Sequence, residues 1–496
     1  MKKAVGIAAG LVVIVGVVAT GGAWYTGTQL EEVLDTGVAN ANAQFDSAMV
    51  GPDGRAVLHL ELASLERHLF SSTAHYRVQV RAAELGAEPA EFLLSDHIEH
   101  GPFPASRVSS LHLLPVMATS NLALQPSPSA AQWFAASQGQ VPLTARLDIH
   151  YGGDSNGTVN VAPLELQSAG SLLKFSGLTA DLAVGANAAH YGLKGRLADL
   201  QLQGTDARQQ PVQVGIKDFS FNLGGTRGAS GFYLGHNDVK LVSLSMQLGG
   251  AAPVLLEGMT TTSLAQEAQG LLSGEMRYDI DTIRLAGKPL GQLRSAFKFS
   301  QFDAAASKSL YRLFQTQIAP QQQAAAAAGI PFRLQLSPAD EQALNADAAR
   351  LLSAKPRIEL DNLSLKTANG EGRVSLAVDL APVPLSATAV APTFGPNIIG
   401  AVDAKVVLSK AMLADLGNAQ AQLQGVADPL TIARNGQDFS DMVSGMAALL
   451  QLAKVEGDSI SSQLHYSAGM VDFNGQRMTA PQFVVSVLGR VGLGAR

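Results

Sequence analysis

Apolar and polar residues alternate in the same way again and again along this chain, and that repetition limits its folds more than any other feature. The pattern is clear at 57–62 (VLHLEL), 76–80 (YRVQV), 145–151 (ARLDIHY), 178–184, 193–202, 214–223, 239–248, 276–285 and 295–302. It returns at 331–336, 357–365, 373–380, 401–408 and 461–473. Successive side chains of a strand point to opposite faces, so alternation marks a sheet buried on one side and wet on the other, the habit of antiparallel sheets. Gly, Asn and Asp between the runs supply turns, and Gly reaches 49 residues of 496. The expectation is a mainly β, β-rich α+β chain: an elongated, curved, antiparallel meander with several helices in its C-terminal half.

Helical spacing interrupts the alternation late. Residues 305–327 carry Leu310, Leu313 and Phe314 and end in the low-complexity stretch QQQAAAAAG, read as a helix tail or linker. Ser337-Pro338 is a helix start, with Ser as N-cap, Pro in the first turn and Asp340 beside them. That helix carries Leu344, Leu351 and Leu352 and stops before Pro356. Ser409 caps a further segment with Met412, Leu413 and Leu416. Residues 438–454 place Phe439, Met442, Val443, Met446, Leu449 and Leu450 at helical spacing, a stripe read as core.

The N-terminus is of another kind. Lys2 and Lys3 precede an uncharged run from Ala4 to Tyr25, and Glu31, Glu32 and Asp35 follow it. A spanning helix needs about 20 apolar residues, and Trp24 and Tyr25 fall where an interfacial aromatic belt would sit. The charge bias predicts a single-pass anchor with the N-terminus in the cytoplasm and the bulk outside the membrane. The rival is a cleaved signal peptide, cut after Ala23 with Gly21 at the minus-three position. Gly6 and Gly10 form a small-xxx-small pair through which two such helices could make a homodimer. The segmentation expected is 1–27 for tip and anchor, 28–304 for a β-rich region, 305–390 for a helix-containing insertion with strands, and 391–496 for a C-terminal α/β segment. The Pro-rich loop at 382–396 is the internal seam, although 28–496 could form one continuous domain.

Composition removes whole classes of chemistry. There is no cysteine, so disulfides, zinc-thiolate sites, iron–sulfur clusters and thiol catalysis are excluded. The net charge of −6 and the lack of a basic stripe exclude a nucleic-acid partner. Gly153-Asp154-Ser155-Asn156-Gly157 matches G-x-S-x-G, but it joins strand to strand where a nucleophile elbow needs strand, turn and helix. It reads as a hairpin turn. Two S-x-x-K matches, at Ser171 and Ser295, lack the companion motifs of penicillin-binding enzymes. No phosphate-binding glycine loop occurs.

The densest cluster of potential ligands is Asp96-His97-Ile98-Glu99-His100, followed by Gly101-Pro102-Phe103-Pro104. On a strand His97 and His100 face opposite ways and cannot share a metal without a bend, which Gly101-Pro102-Phe103-Pro104 could supply; the leading reading is a structural loop closing the strand. No catalytic residue, metal or cofactor is expected.

Several words along the chain resemble the YdgA family of bacterial envelope proteins, a class with no assigned activity. They are the stretch from Gly21 to Gly27 (GGAWYTG), Arg67-His68-Leu69-Phe70-Ser71-Ser72, the run from His97 to Pro104, Tyr151-Gly152-Gly153-Asp154-Ser155 and Lys174-Phe175-Ser176-Gly177. Leu255-Leu256-Glu257-Gly258-Met259, Leu464-His465-Tyr466 and Asn474-Gly475-Gln476-Arg477-Met478 continue them in order. The resemblance implies an inner-membrane-anchored periplasmic protein and supplies no catalytic residues. His97, His100, Gly101, Pro102, Phe103 and Pro104 are its most distinctive residues, of unassigned role. Non-enzymatic binding or scaffolding leads, with an envelope protein or a lipid as partner. A lipid-handling protein with an apolar groove along the sheet is the runner-up, and a hydrolase using His97 and His100 a remote third.

Overall fold

The computed structural model describes residues 57–81, 90–168, 170–206, 209–381 and 398–490, with 34, 35, 37–39 and 42 before them. The anchor segment with Trp24 and Tyr25, and the Pro-rich loop at 382–396, lie outside the described residues. No helix among the described residues is long and apolar enough to cross a membrane. The described chain is mainly β, with twenty-three strands and eight α-helices. It divides into two compact units: residues 1–205, 214–227 and 319–333, and residues 206–213, 228–318 and 334–496.

The first unit is an antiparallel meander. Its strands are β1 (Val57–Arg67), β2 (Ser71–Arg81), β3 (Ala90–His100), β4 (Ala118–Gln125), β5 (Leu143–Ile149), β6 (Ser155–Val161), β7 (Leu164–Ser168), β8 (Ser171–Phe175), β9 (Leu178–Val184) and β10 (His190–Thr205). The pairings run in chain order as far as β6. Thereafter β6 and β7 act as one bent strand against β9 and β8, which lie end to end along β10. The bend falls at Pro163 and Gly177. Gly177 has φ +93°, and a Cβ there would press on the Val161 carbonyl and the Pro163 ring. Only glycine takes that conformation without strain.

The alternation seen in the sequence is the burial pattern: β5 reads buried and half-buried in strict turn. Leu60, Val78, Phe92, Leu94, Leu122, Leu124 and Leu147 fill the inner face. Helix α1 (Ala105–Ser109) follows β3, and α2 (Ala131–Ala136) brings Trp133 to 5.5 Å from Phe92, ring centre to ring centre. Leu34 joins this core. Asn42 takes both backbone groups of Leu60, accepting from its N–H and donating to its carbonyl at 2.8 Å each. On a strand whose described pairing is with β2 alone, that clamp satisfies groups an edge would leave open.

Strand β11 (Pro211–Arg227) contributes its residues from 214 onward to the first unit. The second unit holds β12 (Tyr233–Leu234), β13 (His236–Leu248), β14 (Val254–Ala268), β15 (Leu271–Leu285), β16 (Lys288–Asp303), β17 (Arg357–Thr367), β18 (Glu371–Leu380), β19 (Ile399–Ser409), β20 (Lys454–Glu456), β21 (Ser459–Ser467), β22 (Met470–Phe473) and β23 (Gln476–Thr479). From β13 to β19 each pairs antiparallel with the next, and β21 follows β19. Along the far edge of β21 lie β20 and β22, with β23 outside β22.

Helices interrupt the chain between these strands, and residues 319–328 among them belong to the first unit. Asp303 caps α3 (Ala304–Leu313), accepting from the Ala306 N–H, and a π-helical turn at Phe314–Ile318 leads into α4 (Ala319–Ala328). The Ala/Gln stretch is therefore helix. Ser337 caps α5 (Pro338–Ser353) through the Asp340 N–H, and Ser409 caps α6 (Lys410–Leu423) through the Met412 N–H, both where the sequence placed them. Two more helices, α7 (Pro429–Leu449), the longest of those described at 21 residues, and α8 (Ala480–Arg490), complete the set, the latter following β23.

Several expectations need correction. The alternating run at 331–336 forms no strand, and Phe332 and Leu334 are exposed. Alternation reports sidedness, while a ladder also needs a free edge at the right place. The run at 461–473 is two strands, split at Ala468-Gly469, both with positive φ. The helix expected at 438–454 starts earlier, at Asp428, whose carboxylate accepts from the Thr431 N–H. Its methionine stripe is also only partly core. Phe439 and Val443 pack against Met412 and Leu413, whereas Met442, Met446 and Leu449 point outward.

Candidate functional site

The word from His97 to Pro104 ends β3 and turns into α1. Its alternate residues part company, as a strand requires. His97 is exposed on the polar face, whereas His100 sits on the other face with Nε2 3.0 Å from Ser72 Oγ. Burial holds the His100 imidazole below its ordinary pKa. The two rings share no site, and among the described residues no group of three or more His, Asp or Glu is placed to hold a metal.

What the word builds is a corner. A Cβ on Gly101 would collide with the Val116 and Met117 carbonyls, so only glycine lets the chain pass this close. Beyond it α1 lies on the polar face of the sheet. Ser106 donates to Glu99 from both its N–H and its hydroxyl, at 2.9 and 2.7 Å. Arg107 is buried, pairs with Asp148 and donates to the Leu114 carbonyl at 3.2 Å. Thr119 donates to the same carboxylate at 2.8 Å. Glu99, Thr119 and Asp148 stand opposite one another across β3, β4 and β5. This network locks a helix down, and the Ser72 hydroxyl that meets His100 is fully buried. Ser155 of the G-x-S-x-G match begins β6 and is buried, so no elbow forms. The two S-x-x-K pairs lie within β8 and β16, where residues three apart face opposite sides.

The second unit presents two unlike faces. One cross-strand row reads Glu275, Lys298, Glu359, Ala377, Asp403, His465, Asp472 and Arg477. Its charges neutralise one another or their neighbours, Lys298 with Asp361 at 2.8 Å and Arg357 with Glu359 at 2.9 Å and Asp379 at 2.7 Å, and His465 Nδ1 lies 2.6 Å from Asp403 Oδ1. A depression of 890 Å³ opens on this face, lined by Glu359, Asp361, Asp403, Lys405, His465 and Arg477 among others. Exposed pairs of this kind contribute little each. The lining of the depression is mixed, with Met470, Val471 and Leu376 beside the charged side chains.

One residue along each strand, the row reads Met276, Phe297, Leu360, Leu376, Ala404, Leu464 and Phe473. Every member is apolar, and they share the opposite face. Helices α6 and α7 cover this face only around Leu365, Leu408 and Ile460. Phe483 of α8 covers Phe473, ring centres 5.3 Å apart, but Met276 keeps 48% of its surface, Leu376 39% and Phe297 36%. The sequence gives no warning of this exposure, because alternation says which residues share a face and not whether anything lies over it.

The comparisons with known proteins agree with the family words. A family described as "Bacterial protein of unknown function (DUF945)" matches residues 1–481. The chain belongs to the DUF945 family. Among curated relatives, protein YdgA of Escherichia coli K12 is 25% identical over 492 residues, covering 96% of this chain and 95% of that protein. YihF of the same organism, an uncharacterized protein, is 22% identical over 96% of this chain and 97% of its own length. An uncharacterized Haemophilus influenzae protein is 26% identical over a third of the chain. No solved structure matches. The DUF945 resemblance words now have a physical reading. They hold Gly101, Gly153, Gly177, Gly258 and Gly475, four of them at positive φ and each at a turn, bend or bulge of a sheet. Leu464-His465-Tyr466, by contrast, lies within β21.

Proposed function

We propose that this DUF945 chain is a non-enzymatic binding protein of the bacterial envelope, held at the inner membrane by the segment near residues 4–25 with its bulk in the periplasm. In this reading the apolar face of the second unit takes the acyl chains of a lipid. The supporting observation is the Met276–Phe297–Leu360–Leu376 row, apolar throughout and partly bare to solvent while the reverse face carries paired charges. Covering apolar surface contributes about 25 cal/mol per Å², so an open row of this kind favours a hydrocarbon ligand.

The test is photolabelling of the full-length protein with a phospholipid carrying a diazirine in its acyl chain, followed by peptide mapping. Labelled peptides from β15 to β18 are expected. Phe297→Asp with Leu376→Asp should remove most of that label, because a carboxylate on the row penalises hydrocarbon contact by several kcal/mol. Labelling that ignores the double substitution, or falls elsewhere, sinks the lipid reading. Scaffolding is the second reading, supported by the outward Met442, Met446 and Leu449 on α7. A protein cross-link at Met446 that survives the double substitution would favour it.

A further inference from the structure

We propose that the loops at one end of the first unit's sheet form a membrane-contact surface that rests on the same bilayer the N-terminal segment enters. This rests on the anchor reading above. In an antiparallel meander every second connection falls at the same end. The connections at 68–70, 101–117, 150–154 and 185–189 therefore lie together, as the registers of β1 to β6, β9 and β10 require.

Six large apolar side chains stand out from the first two of these loops. Leu69 and Leu111 are each 83% exposed, Leu114 79%, Phe70 78%, Leu113 60% and Phe103 57%. They are held rigidly. The His100 N–H donates to the Phe70 carbonyl at 2.9 Å, the Val116 N–H to Pro102 at 3.1 Å and the His112 N–H to Arg107 at 2.9 Å. Arg107 in turn ties the Leu114 carbonyl to the sheet through Asp148. Across all four loops Asp154 is the one acidic residue, and the one arginine, Arg107, is already paired. Scattered exposed leucines are ordinary, but a clustered, fixed and almost uncharged set marks an interaction surface. Leucine and phenylalanine tips above a satisfied polar base suit the headgroup–acyl boundary.

Chain length selects the bilayer as occupant. Leu34 is buried in the first unit's core, and Tyr25 closes the apolar N-terminal run. The steps between them span about 30 Å at full extension. An anchored chain thus keeps the first unit within reach of the membrane at high effective concentration, where a weak surface contact is enough.

With no native cysteine, one introduced cysteine gives one labelling site. The experiment places a nitroxide at Leu113→Cys, at Phe70→Cys and, as reference, at Gln138→Cys, which lies in the β4–β5 connection at the opposite end. Full-length protein is reconstituted into vesicles of phosphatidylethanolamine and phosphatidylglycerol. Collisions with oxygen are compared with collisions with an aqueous nickel chelate, and the same vesicles are extracted at alkaline pH. The expected result is nickel access several-fold lower, relative to oxygen, at 70 and 113 than at 138. Equal nickel access at all three sites in a chain that resists extraction overturns the contact surface and leaves the anchor standing. Release into the supernatant overturns both. Spin–spin broadening confined to 70 and 113 would show a second copy on the patch and likewise overturn the proposal.

Discussion

Arg107→Ala is expected to destabilise the first unit by about 3 kcal/mol, because deleting one partner of a buried ion pair strands the other charge. For a unit of this size that is a fall in thermal midpoint of roughly 10 °C. The guanidinium keeps 8% of its side-chain surface and the Asp148 carboxylate 18%, so solvent does little to compensate. Asp148 would retain only the Thr119 hydroxyl as a donor, and Leu114 would lose its side-chain tie. Arg107→Ala combined with Asp148→Ala should recover part of the loss, since no unpaired charge remains. Thermal unfolding followed by circular dichroism makes the comparison. A single variant that melts with the wild type would show that α1 is held by other contacts.

The second large effect is in pH. Asp96 lies in the apolar core between Ala74 of β2 and Leu122 of β4, and burial pushes its carboxyl from 3.8 up to about 6 against the help of Ser120 and the Asn121 N–H. The folded protein therefore holds this proton more tightly than the unfolded chain. Stability is fully present below pH 3.8 and falls as pH rises toward 6, by about 1.4 kcal/mol per unit and about 3 kcal/mol in all. His100 opposes this: its lowered pKa makes the unfolded chain the better proton binder below about 6.5, so acid weakens that contribution.

Asp96→Asn isolates the carboxyl. The gap between variant and wild type should widen in the variant's favour from pH 4 to pH 7, as urea midpoints at each pH would reveal. Asparagine can still accept from Ser120, and its amide can reach for the Tyr76 hydroxyl, which has no partner among the described residues. Parallel pH curves for the two proteins would refute the assignment.

Much of the architecture was legible because it depends on local pattern. The 178–184 run is β9 residue for residue, and the caps at Ser337 and Ser409 follow from a hydroxyl placed before an apolar helical stripe. The opposite facing of His97 and His100 followed from strand geometry. Misreadings came where pattern was asked to report an environment. The 331–336 run alternates like a strand without a partner, and Met442 and Met446 sit at helical spacing but face outward.

The sequence by itself determined the class of fold, the position of most turns, the absence of thiol chemistry and the family, because each depends on residue type and short-range spacing. Tertiary structure decided the rest. The Arg107–Asp148 pair joins residues 41 apart, Asp96 became a buried carboxyl only through its cross-strand neighbours, and the bare row at Met276, Phe297 and Leu376 exists only once β15 to β18 fall into register. Burial and pairing depend on what the chain brings back from far along its length, and no local window contains that information.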